Sequence, residues 1–274
     1  MCLLLFAYHC HPDYPLLLIA NRDEFYARET DPAGPWRGGQ MIAGRDLRAG
    51  GTWAGIARGR VAAVTNIREP DRAEPGDVLS RGEIPQKFLT TYSSPEQFAQ
   101  GLEGVRYRGF NALLFAQDAN QPLVCAGNRH RPFAFSSGVH GISNGAPDAP
   151  WPKVEKGKAA LAEMIRCVDG PINQTNFIGP ALSLLHDTSP AADAALPNTG
   201  VGLPLERALS PIFVRIVQRE NLLPNDVADG DTAQGYGTRA STIIAVHRSG
   251  LTQLWEQSFT QGTRSGPLRH FSIP

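Results

Sequence analysis

The sequence contains few cysteines and no pair of them at the spacing of a metal or redox motif. Four cysteines are scattered along the 274 residues, at positions Cys2, Cys10, Cys125 and Cys167. Disulfide scaffolds and structural zinc sites use recurrent cysteine spacings, which are missing here. The pattern therefore argues against both kinds of site and is typical of a protein from a reducing compartment.

Long hydrophobic runs and an excess of charge of one sign are also missing. Lysine plus arginine and aspartate plus glutamate each number 26, so the formal net charge is zero. No basic stripe interleaved with aromatic residues is present, which argues against a nucleic-acid partner. No apolar segment approaches the roughly 20 residues of a membrane-spanning helix. The apolar start LLLFAY lacks the basic region of a secretory signal, so we expect a cytoplasmic protein without a membrane span.

The sequence does contain many short apolar segments that are typical of β-strands. Glycine, proline or aspartate bounds the predicted strands 3–8, 16–20, 52–57 and 61–65. Further strands are predicted at 110–116, 123–126, 139–143, 212–217, 241–247 and 252–257, and helices at 82–91, from Ser94 onward, and at 152–168. Strands cluster early and late with helices between them, unlike a strict βαβ alternation. We therefore predict a single α+β domain over residues 1–274, with substantial antiparallel sheet.

The two N-terminal residues have a definite chemical option. The chain begins Met1-Cys2, and cytosolic removal of Met1 requires a small second side chain such as cysteine. Removal would give Cys2 a free α-amine with a pKa of about 7.7–8.0 beside its own thiol. The amine could accept the thiol proton, so that one residue would serve as nucleophile and base. The alternative is that Cys2 is a small apolar residue at the start of a buried strand.

A polar cluster, Asn-Arg-Asp-Glu at 21–24, follows the second predicted strand. A hairpin of the first two strands would bring this cluster beside Cys2. There, the charge of Arg22 would lower the pKa of the Cys2 thiol, and a carboxylate could hold the α-amine. The alternative is a solvated ion pair of Arg22 and Asp23 at a strand end. Adjacent side chains of a strand point to opposite faces, so these two cannot both face Cys2 unless the chain bends.

Six segments stand in order along the chain: the MC start, ANRDEF (20–25), GGTWAGI (50–56), AVTNIREP (63–70), ISNGAPDAPWPKV (142–154) and YGTRASTIIAV (236–246). As a set they resemble the NRDE family, also called the transport and Golgi organisation protein 2 family. A fainter similarity extends to the choloylglycine hydrolase and penicillin V acylase branch of N-terminal-nucleophile hydrolases. That resemblance implies a four-layer αββα sandwich of antiparallel sheets, and cleavage of an amide or acyl bond of a small molecule.

The resemblance to the hydrolases also implies residue roles. Cys2 would be the nucleophile, Arg22 the arginine beside it, and Asp23 (or Glu24) the carboxylate. Asn66 and Asn144 would be the two oxyanion donors, and Arg239 would match an arginine that occurs late in the chain. The hydrolases space their arginine and aspartate three residues apart, whereas here the two are adjacent. An alternative alignment sets Asn21 and Glu24 in those positions, which would remove the positive charge.

The NRDE family is also associated with haem trafficking and with lipid or acyl-CoA handling. This implies an alternative function, a carrier that performs no chemistry and holds haem or an acyl-CoA in the same pocket. Haem needs an axial ligand and an apolar slot, and the candidate ligands are Cys2, His9, Cys10 and His11. On a strand, His9 and His11 would share a face and could also hold a metal, although a polar strand end entering a turn gives the same pattern. Hydrolysis itself would require no cofactor.

Overall fold

Two antiparallel sheets and a few helices make up the part of the chain that the computed structural model describes, residues 3–36, 38–70, 78–217 and 235–274. Met1 and Cys2 lie outside the described residues. The strands are β1 (Leu3–Tyr8), β2 (Leu16–Phe25), β3 (Thr30–Pro35), β4 (Met41–Asp46), β5 (Ala54–Ala57), β6 (Arg60–Asn66), β7 (Phe110–Ala116), β8 (Leu123–Gly127), β9 (Phe133–Ala134), β10 (Gly138–Ile142), β11 (Arg215–Ile216), β12 (Tyr236–Val246), β13 (Thr252–Thr260) and β14 (Thr263–Ile273). The helices are α1 (Glu83–Leu89), α2 (Pro95–Gln100), α3 (Pro152–Arg166), α4 (Gly179–Leu185) and α5 (Leu203–Ala208), and a wide turn, Gln174–Ile178, precedes α4.

The two sheets differ in how they follow the chain. The first, sheet A, has the strand order β10-β1-β2-β12-β13-β14, with β11 also paired to β12. The second, sheet B, runs in chain order from β3 to β9. Every pairing is antiparallel. The predicted α+β class with antiparallel sheets is confirmed.

The central strands carry apolar side chains on both faces of the sheet, and each face is covered by another layer of the protein. In β2, Leu16 and Leu18 join a cluster that also contains Ile56 and Phe115 of sheet B, so this face packs against the other sheet. Leu17, the intervening residue, joins a different cluster on the opposite face. Strands covered on both sides read as continuous hydrophobic runs. This explains why such runs in the sequence predict the core strands.

Helices pack on the remaining face of each sheet. Val154 and Leu161 of α3 belong to a cluster with Leu5 of β1. Phe88 of α1 belongs to a cluster with Val64 of β6. The helix predicted from Ser94 onward is confirmed as α2, where the Ser94 side chain caps the first turn in a reciprocal capping box. None of the helices in the described ranges is long and apolar enough to cross a membrane.

Several element bounds differ from the predictions. β2 continues five residues past the predicted strand end, to Phe25, because residues 21–25 are also paired with β12 and the first three of them are buried. The strand predicted at 212–217 is reduced to two residues, Arg215–Ile216. His9 and His11 do not lie on a strand, since β1 ends at Tyr8 and both follow it in the turn.

Candidate functional site

Buried polar side chains surround the end of sheet A at which β1 begins. Leu3, the first described residue of β1, pairs with Asn21 of β2, and Leu4 pairs with Ile142 of β10. The residues that follow Asn21 in β2 and Ile142 in β10 therefore lie beyond the N-terminal end of β1. The residues that follow these pairs are polar, and none is more than 6% exposed: Arg22, Asp23, Ser143 and Asn144. Cys2, the predicted nucleophile, precedes Leu3 in the sequence and lies outside the described residues.

Arg22 points into the space between the two sheets. Its guanidinium carbon lies 4.5 Å from the centroid of the Trp53 ring, within the distance of a cation–π contact. Nη2 donates a hydrogen bond of 2.9 Å to Asp46 Oδ2, and Nη1 donates one of 3.2 Å to Thr30 Oγ1. A Glu24 carboxylate oxygen lies 3.7 Å from Nη2. The arginine is thus held on several sides, with its charge buried.

Asp46 links two arginines beneath this site. Oδ2 accepts the bond from Arg22 and a second bond, of 2.7 Å, from Arg28 Nε. Burial opposes ionisation of Asp46, but the hydrogen bonds from Arg28 and the Ala49 amide, with the charges of both arginines, outweigh it. The pKa of Asp46 is therefore below its ordinary value, and Asp46 is a carboxylate at neutral pH.

Asp23 lies on the opposite face of β2 from Arg22. Its Oδ1 accepts a hydrogen bond of 2.7 Å from Thr238 Oγ1 in β12. β2 continues through both residues, and the irregularity falls in its partner, between Thr238 and Ala240, where Arg239 is the additional residue. The separation of Arg22 and Asp23 onto two faces follows from strand alternation, as the sequence predicts.

Asn21 anchors the same face of β2 to the helical layer. Its Nδ2 donates to the carbonyl oxygens of Leu185 and Ile212, at 2.8 and 2.9 Å. Ser241 Oγ donates a bond of 2.6 Å to Asn21 Oδ1. All three hydrogen-bonding positions are used inside the core, so Asn21 has a structural role that orients the strand carrying Arg22 and Asp23.

Arg239 organises the turn that follows β2. Its Nη1 donates to the carbonyl oxygens of Phe25, Tyr26 and Arg28, at 3.0, 2.9 and 3.0 Å. Burial, with a smaller contribution from the charge of Arg22, lowers the pKa of Arg239 from its ordinary value. These bonds make Arg239 a positioning residue for the segment beyond Arg22.

Asn144 and Asn66 come together from different sheets. Asn144 Nδ2 donates a hydrogen bond of 2.9 Å to the Asn66 carbonyl oxygen, and the Arg68 amide donates one of 2.8 Å to the Asn144 carbonyl oxygen. Next to this pair, Asn111 Nδ2 donates to the Gly145 carbonyl oxygen at 2.8 Å. The segments that follow β6 and β10 are therefore joined side by side at the site.

Thr65 is a buried residue of the site that the sequence analysis did not single out. It shares a face of β6 with Val61 and Ala63, which belong to the cluster between the sheets. Its Oγ1 is buried and has no hydrogen-bond partner among the described residues, and the same holds for Trp53 Nε1. Strand alternation through AVTN could have indicated Thr65, because it gives the inward face Ala63 and then Thr65.

Three of the candidate haem ligands, His9, Cys10 and His11, follow β1 and lie at the other end of the sheets. His9 and His11 line a cavity of about 290 Å³ near the β1–β2 turn. Cys10 is exposed, and its Sγ donates weakly to the Tyr8 carbonyl oxygen at 3.5 Å. Pockets that bury drug-sized ligands usually measure about 300–1,000 Å³, so this cavity does not fit the whole of a haem. No cluster of three or more His, Cys, Asp or Glu side chains able to hold a metal occurs in the described ranges.

The fold and this cluster define an α+β protein with two antiparallel sheets and a buried polar site at the start of β1. Residues 1–261 match the family described as Transport and Golgi organisation 2. The chain is 31% identical to the Transport and Golgi organization 2 homolog of Mus musculus over 273 residues, covering 94% of this chain and 93% of the relative. Identity to the homolog from Homo sapiens is 31% over 275 residues with the same coverage, and to the Drosophila melanogaster protein 29% over 287 residues, covering 95% and 93%. The chain belongs to the Transport and Golgi organisation 2 family, which confirms the resemblance of its six segments.

Proposed function

We propose that this protein is a hydrolase of the N-terminal-nucleophile type that cleaves an amide or acyl bond of a small molecule with Cys2. The supporting observation is the polar cluster that flanks the start of β1. Consecutive Cα atoms are about 3.8 Å apart, so Cys2 is one peptide unit from Leu3, which pairs with Asn21 beside Arg22. Arg22 and Asp23 are both hydrogen-bonded, yet apolar residues in place of a buried, paired charge often leave a protein equally or more stable. A reaction at this point would account for keeping Arg22 and Asp23 buried here.

The packing of the described elements supports the αββα architecture of such hydrolases. One core cluster lies between the sheets, a second lies between sheet A and α3 with α4, and a third lies between sheet B and α1 with α2. This succession agrees with a four-layer sandwich formed by a single domain of residues 1–274. In such a fold the end of a central strand is a rigid support for a nucleophile.

The proposed reaction starts after Met1 has been removed. The α-amine of Cys2 takes the proton of its thiol, and the thiolate attacks the carbonyl carbon to form a C–S bond and an oxyanion. When the intermediate collapses, the C–N bond breaks and the amine leaves with the proton from the α-ammonium group. Water then cleaves the thioester, which releases the acid and restores the Cys2 thiol.

The neighbouring residues would each have a separate role. Arg22 would stabilise the thiolate through its charge, and Asp23 or Glu24 would hold the α-amine. Asn144 Nδ2 has a second N–H besides the one that bonds Asn66. This donor and a donor from Asn66 would stabilise the oxyanion. Arg239 would act through the turn after β2, where it holds three carbonyl groups.

Intact mass and limited alkylation test the proposed nucleophile. The intact mass of protein with an untagged N-terminus is measured before and after brief treatment with limiting iodoacetamide, and the modified thiols are mapped. We expect Met1 to be absent and Cys2 to react fastest. Exposed Cys10 and Cys167 give the alkylation rate of an ordinary accessible thiol, and buried Cys125 gives the rate of a protected one. Retention of Met1, or alkylation of Cys2 no faster than that of Cys10, would contradict an activated N-terminal nucleophile.

Turnover of a panel of N-acyl amides and thioesters tests the reaction. Cys2→Ala should abolish turnover while its far-ultraviolet circular dichroism and unfolding midpoint match the parent, and the matched control Cys10→Ala should retain it. Full turnover by Cys2→Ala would overturn the hydrolase proposal.

A carrier without catalytic activity is the second candidate, favoured by the word "transport" in the description of the family. It would bind haem or an acyl-CoA or other lipid beside the polar cluster at the start of β1, without cleaving it. Titration with haem should then give a saturable absorbance change in the parent protein, and titration with a fluorescent acyl-CoA a saturable anisotropy change. Neither ligand should be consumed. Absence of both changes at micromolar ligand would exclude the carrier.

A further inference from the structure

The cavity at the far end of the sheets is separate from the proposed catalytic site. β1 spans Leu3 to Tyr8, and a rise of about 3.4 Å per residue separates its two ends by roughly 17 Å. Three turns from both sheets line the cavity, which is open to solvent on one side: the β1–β2 turn, the β7–β8 turn and the β12–β13 turn. Its volume is about 290 Å³. Nothing in the proposed hydrolysis uses it.

Hydrogen bonds between the turns fix the walls of the cavity. Gln117 Nε2 donates to the Arg248 carbonyl oxygen at 3.0 Å, which joins a turn of sheet B to a turn of sheet A. The Arg248 amide donates in turn to the Asp13 carbonyl oxygen at 2.8 Å. His9 has a positive φ of 50°, and its amide donates to the Pro15 carbonyl oxygen at 2.9 Å. A non-glycine residue held in this conformation needs surrounding structure to enforce it. The cavity is therefore preformed.

Two polar residues that line the cavity, His11 and Arg248, offer hydrogen-bond donors. A third, Gln117, contributes a buried acceptor, Oε1, which has no partner among the described residues. His11 Nδ1 accepts a bond of 3.1 Å from the Asp13 amide, so the ring proton is on Nε2, which can donate. Arg248 is 72% exposed, and its Nε is paired with Asp13 Oδ1 at 3.0 Å. Nη1 and Nη2 of Arg248 have no hydrogen-bond partner in the described part of the chain. No aspartate or glutamate of that part lines the cavity. This combination favours an anion.

The remaining lining is apolar. It consists of Phe115, which is buried at the base, and three prolines from two of the turns. One water occupies about 30 Å³ in the liquid, so a cavity of this volume holds roughly ten non-hydrogen atoms. A planar ring with one carboxylate has this size and matches both surfaces. We infer that this cavity binds a small one-ring aromatic carboxylate, whose ring packs on the three prolines and whose carboxylate accepts from Arg248 and His11.

Benzoate and its uncharged analogue benzyl alcohol test this inference in the full-length protein. Amide NMR spectra are recorded during titration to about 10 mM, which covers the millimolar to micromolar affinities of small ligands. Benzoate should shift resonances of the three turns and bind at least tenfold more tightly than benzyl alcohol. Arg248→Gln should weaken benzoate binding at least tenfold. Arg166→Gln, which removes an equally exposed arginine from the end of α3, should leave it unchanged.

Three results would overturn the inference. These are the absence of a saturable shift, equal affinity for benzoate and benzyl alcohol, and unchanged benzoate affinity in Arg248→Gln. A second variant, His11→Phe, is needed in case Arg248→Gln changes the conformation of the β12–β13 turn. His11→Phe keeps a ring but removes the donor, and it too should weaken benzoate at least threefold. Activity of Cys2 plays no part in any of these measurements, so failure of the hydrolase proposal would not affect them.

Discussion

The guanidinium carbon of Arg22 lies 4.5 Å from the centroid of the Trp53 ring, between the two sheets. Gly44 lies against the same ring, because a Cβ added at position 44 would be 2.1 Å from Trp53 Cζ2. The absence of a side chain at position 44 thus allows the tryptophan to occupy the position in which it supports the arginine.

Gly44→Ala should displace Trp53 and with it Arg22. Forcing an extra methyl into a packed core costs about 1–3 kcal/mol, so we expect a decrease of that size in the free energy of unfolding, measured with urea. The matched control is Gly101→Ala, where the nearest atom would be at an ordinary 3.5 Å, and its free energy should change by less than about 0.5 kcal/mol. Equal effects of the two substitutions would contradict the close approach of Gly44 to Trp53.

Arg22→Lys and Arg22→Met separate the charge of this residue from its packing. Both lose the planar contact with Trp53. Lysine can keep at most one of the bonds to Thr30 and Asp46, and methionine can keep neither, so both variants should be less stable, by about 2–4 kcal/mol for Met. Only Arg22→Met removes the positive charge. If that charge lowers the pKa of the Cys2 thiol, the pH dependence of Cys2 alkylation should move to higher pH in Arg22→Met and remain near that of the parent in Arg22→Lys. Identical pH profiles in all three proteins would rule out an electrostatic role.

Glu256 should make stability fall as the pH rises from acid to neutral. It is 1% exposed on β13, and its Oε1 accepts a hydrogen bond of 2.6 Å from the Ala33 amide of β3. Burial raises its pKa from 4.5 to about 7, against the opposing effects of its hydrogen bonds and of the charges of Arg22 and Arg269. A raised folded-state pKa contributes stability below pH 4.5, and this contribution is lost as the pH rises through about 7.

Glu256→Gln tests this behaviour because it keeps an acceptor for Ala33 and cannot ionise. The difference in unfolding free energy between Glu256→Gln and the parent should shift in favour of the variant between pH 4.5 and pH 8, by about 3 kcal/mol in total at 1.36 kcal/mol per pKa unit. Glu163→Gln provides the control: Glu163 is exposed and forms a surface ion pair with Arg166, so its difference should change by no more than about 0.5 kcal/mol. A pH-independent difference for Glu256→Gln would contradict a raised pKa.

His140 should contribute stability at low pH. Its Nδ1 lies 2.7 Å from Asp148 Oδ2, and its Nε2 lies 2.9 Å from the Ser136 carbonyl oxygen. The bond with Asp148 is the largest cause of the raised pKa of His140, and burial opposes it. The contribution is therefore complete below the ordinary pKa of about 6.5, and it is lost as the pH rises through the raised folded-state value.

His140→Gln should accordingly destabilise the protein more at pH 6 than at pH 9. We expect a difference of about 0.5–1 kcal/mol, because solvent screens a partly exposed ion pair. The control is His247→Gln, since the side chain of His247 is bonded to Ser249 rather than to a carboxylate. A larger loss at pH 9 than at pH 6 would refute the assigned direction.

The strands that the sequence predicts best are those buried on both faces. β1 and β7 have the predicted bounds, because every residue in them is buried and apolar residues fill almost every position. β3, β4, β9 and β14 are not among the predicted strands. β3 contains Pro32 and Pro35, and most of β14 is exposed and polar, so neither carries a hydrophobic pattern. Backbone pairing with an existing strand, β4 or β13, is what makes each of them a strand.

Only those features of the candidate site that depend on neighbouring residues in the sequence can be predicted from it. Alternation along β2 indicates that Arg22 and Asp23 point to opposite faces. No local pattern indicates that Asp46 is the partner of Arg22, or that Arg68 is paired with Glu206, 138 residues away. These partners depend on how the two sheets are stacked and on which turns meet at their ends. The pairing of Asn144 with Asn66 was accessible only through the family resemblance.

The strand order of the two sheets also determines when the site can be assembled during synthesis. Sheet B follows the chain from β3 to β9, so each of its pairings joins strands that are consecutive in the sequence, and it can form before β12 has been made. β2 must wait for β12, since Asn21 and Ser241 are 220 residues apart. During this interval one edge of β2 has no partner strand. The apolar residues of β2, and Arg22 and Asp23, then lie beside this unpaired edge. The buried polar cluster is thus completed only after β12 has been synthesised.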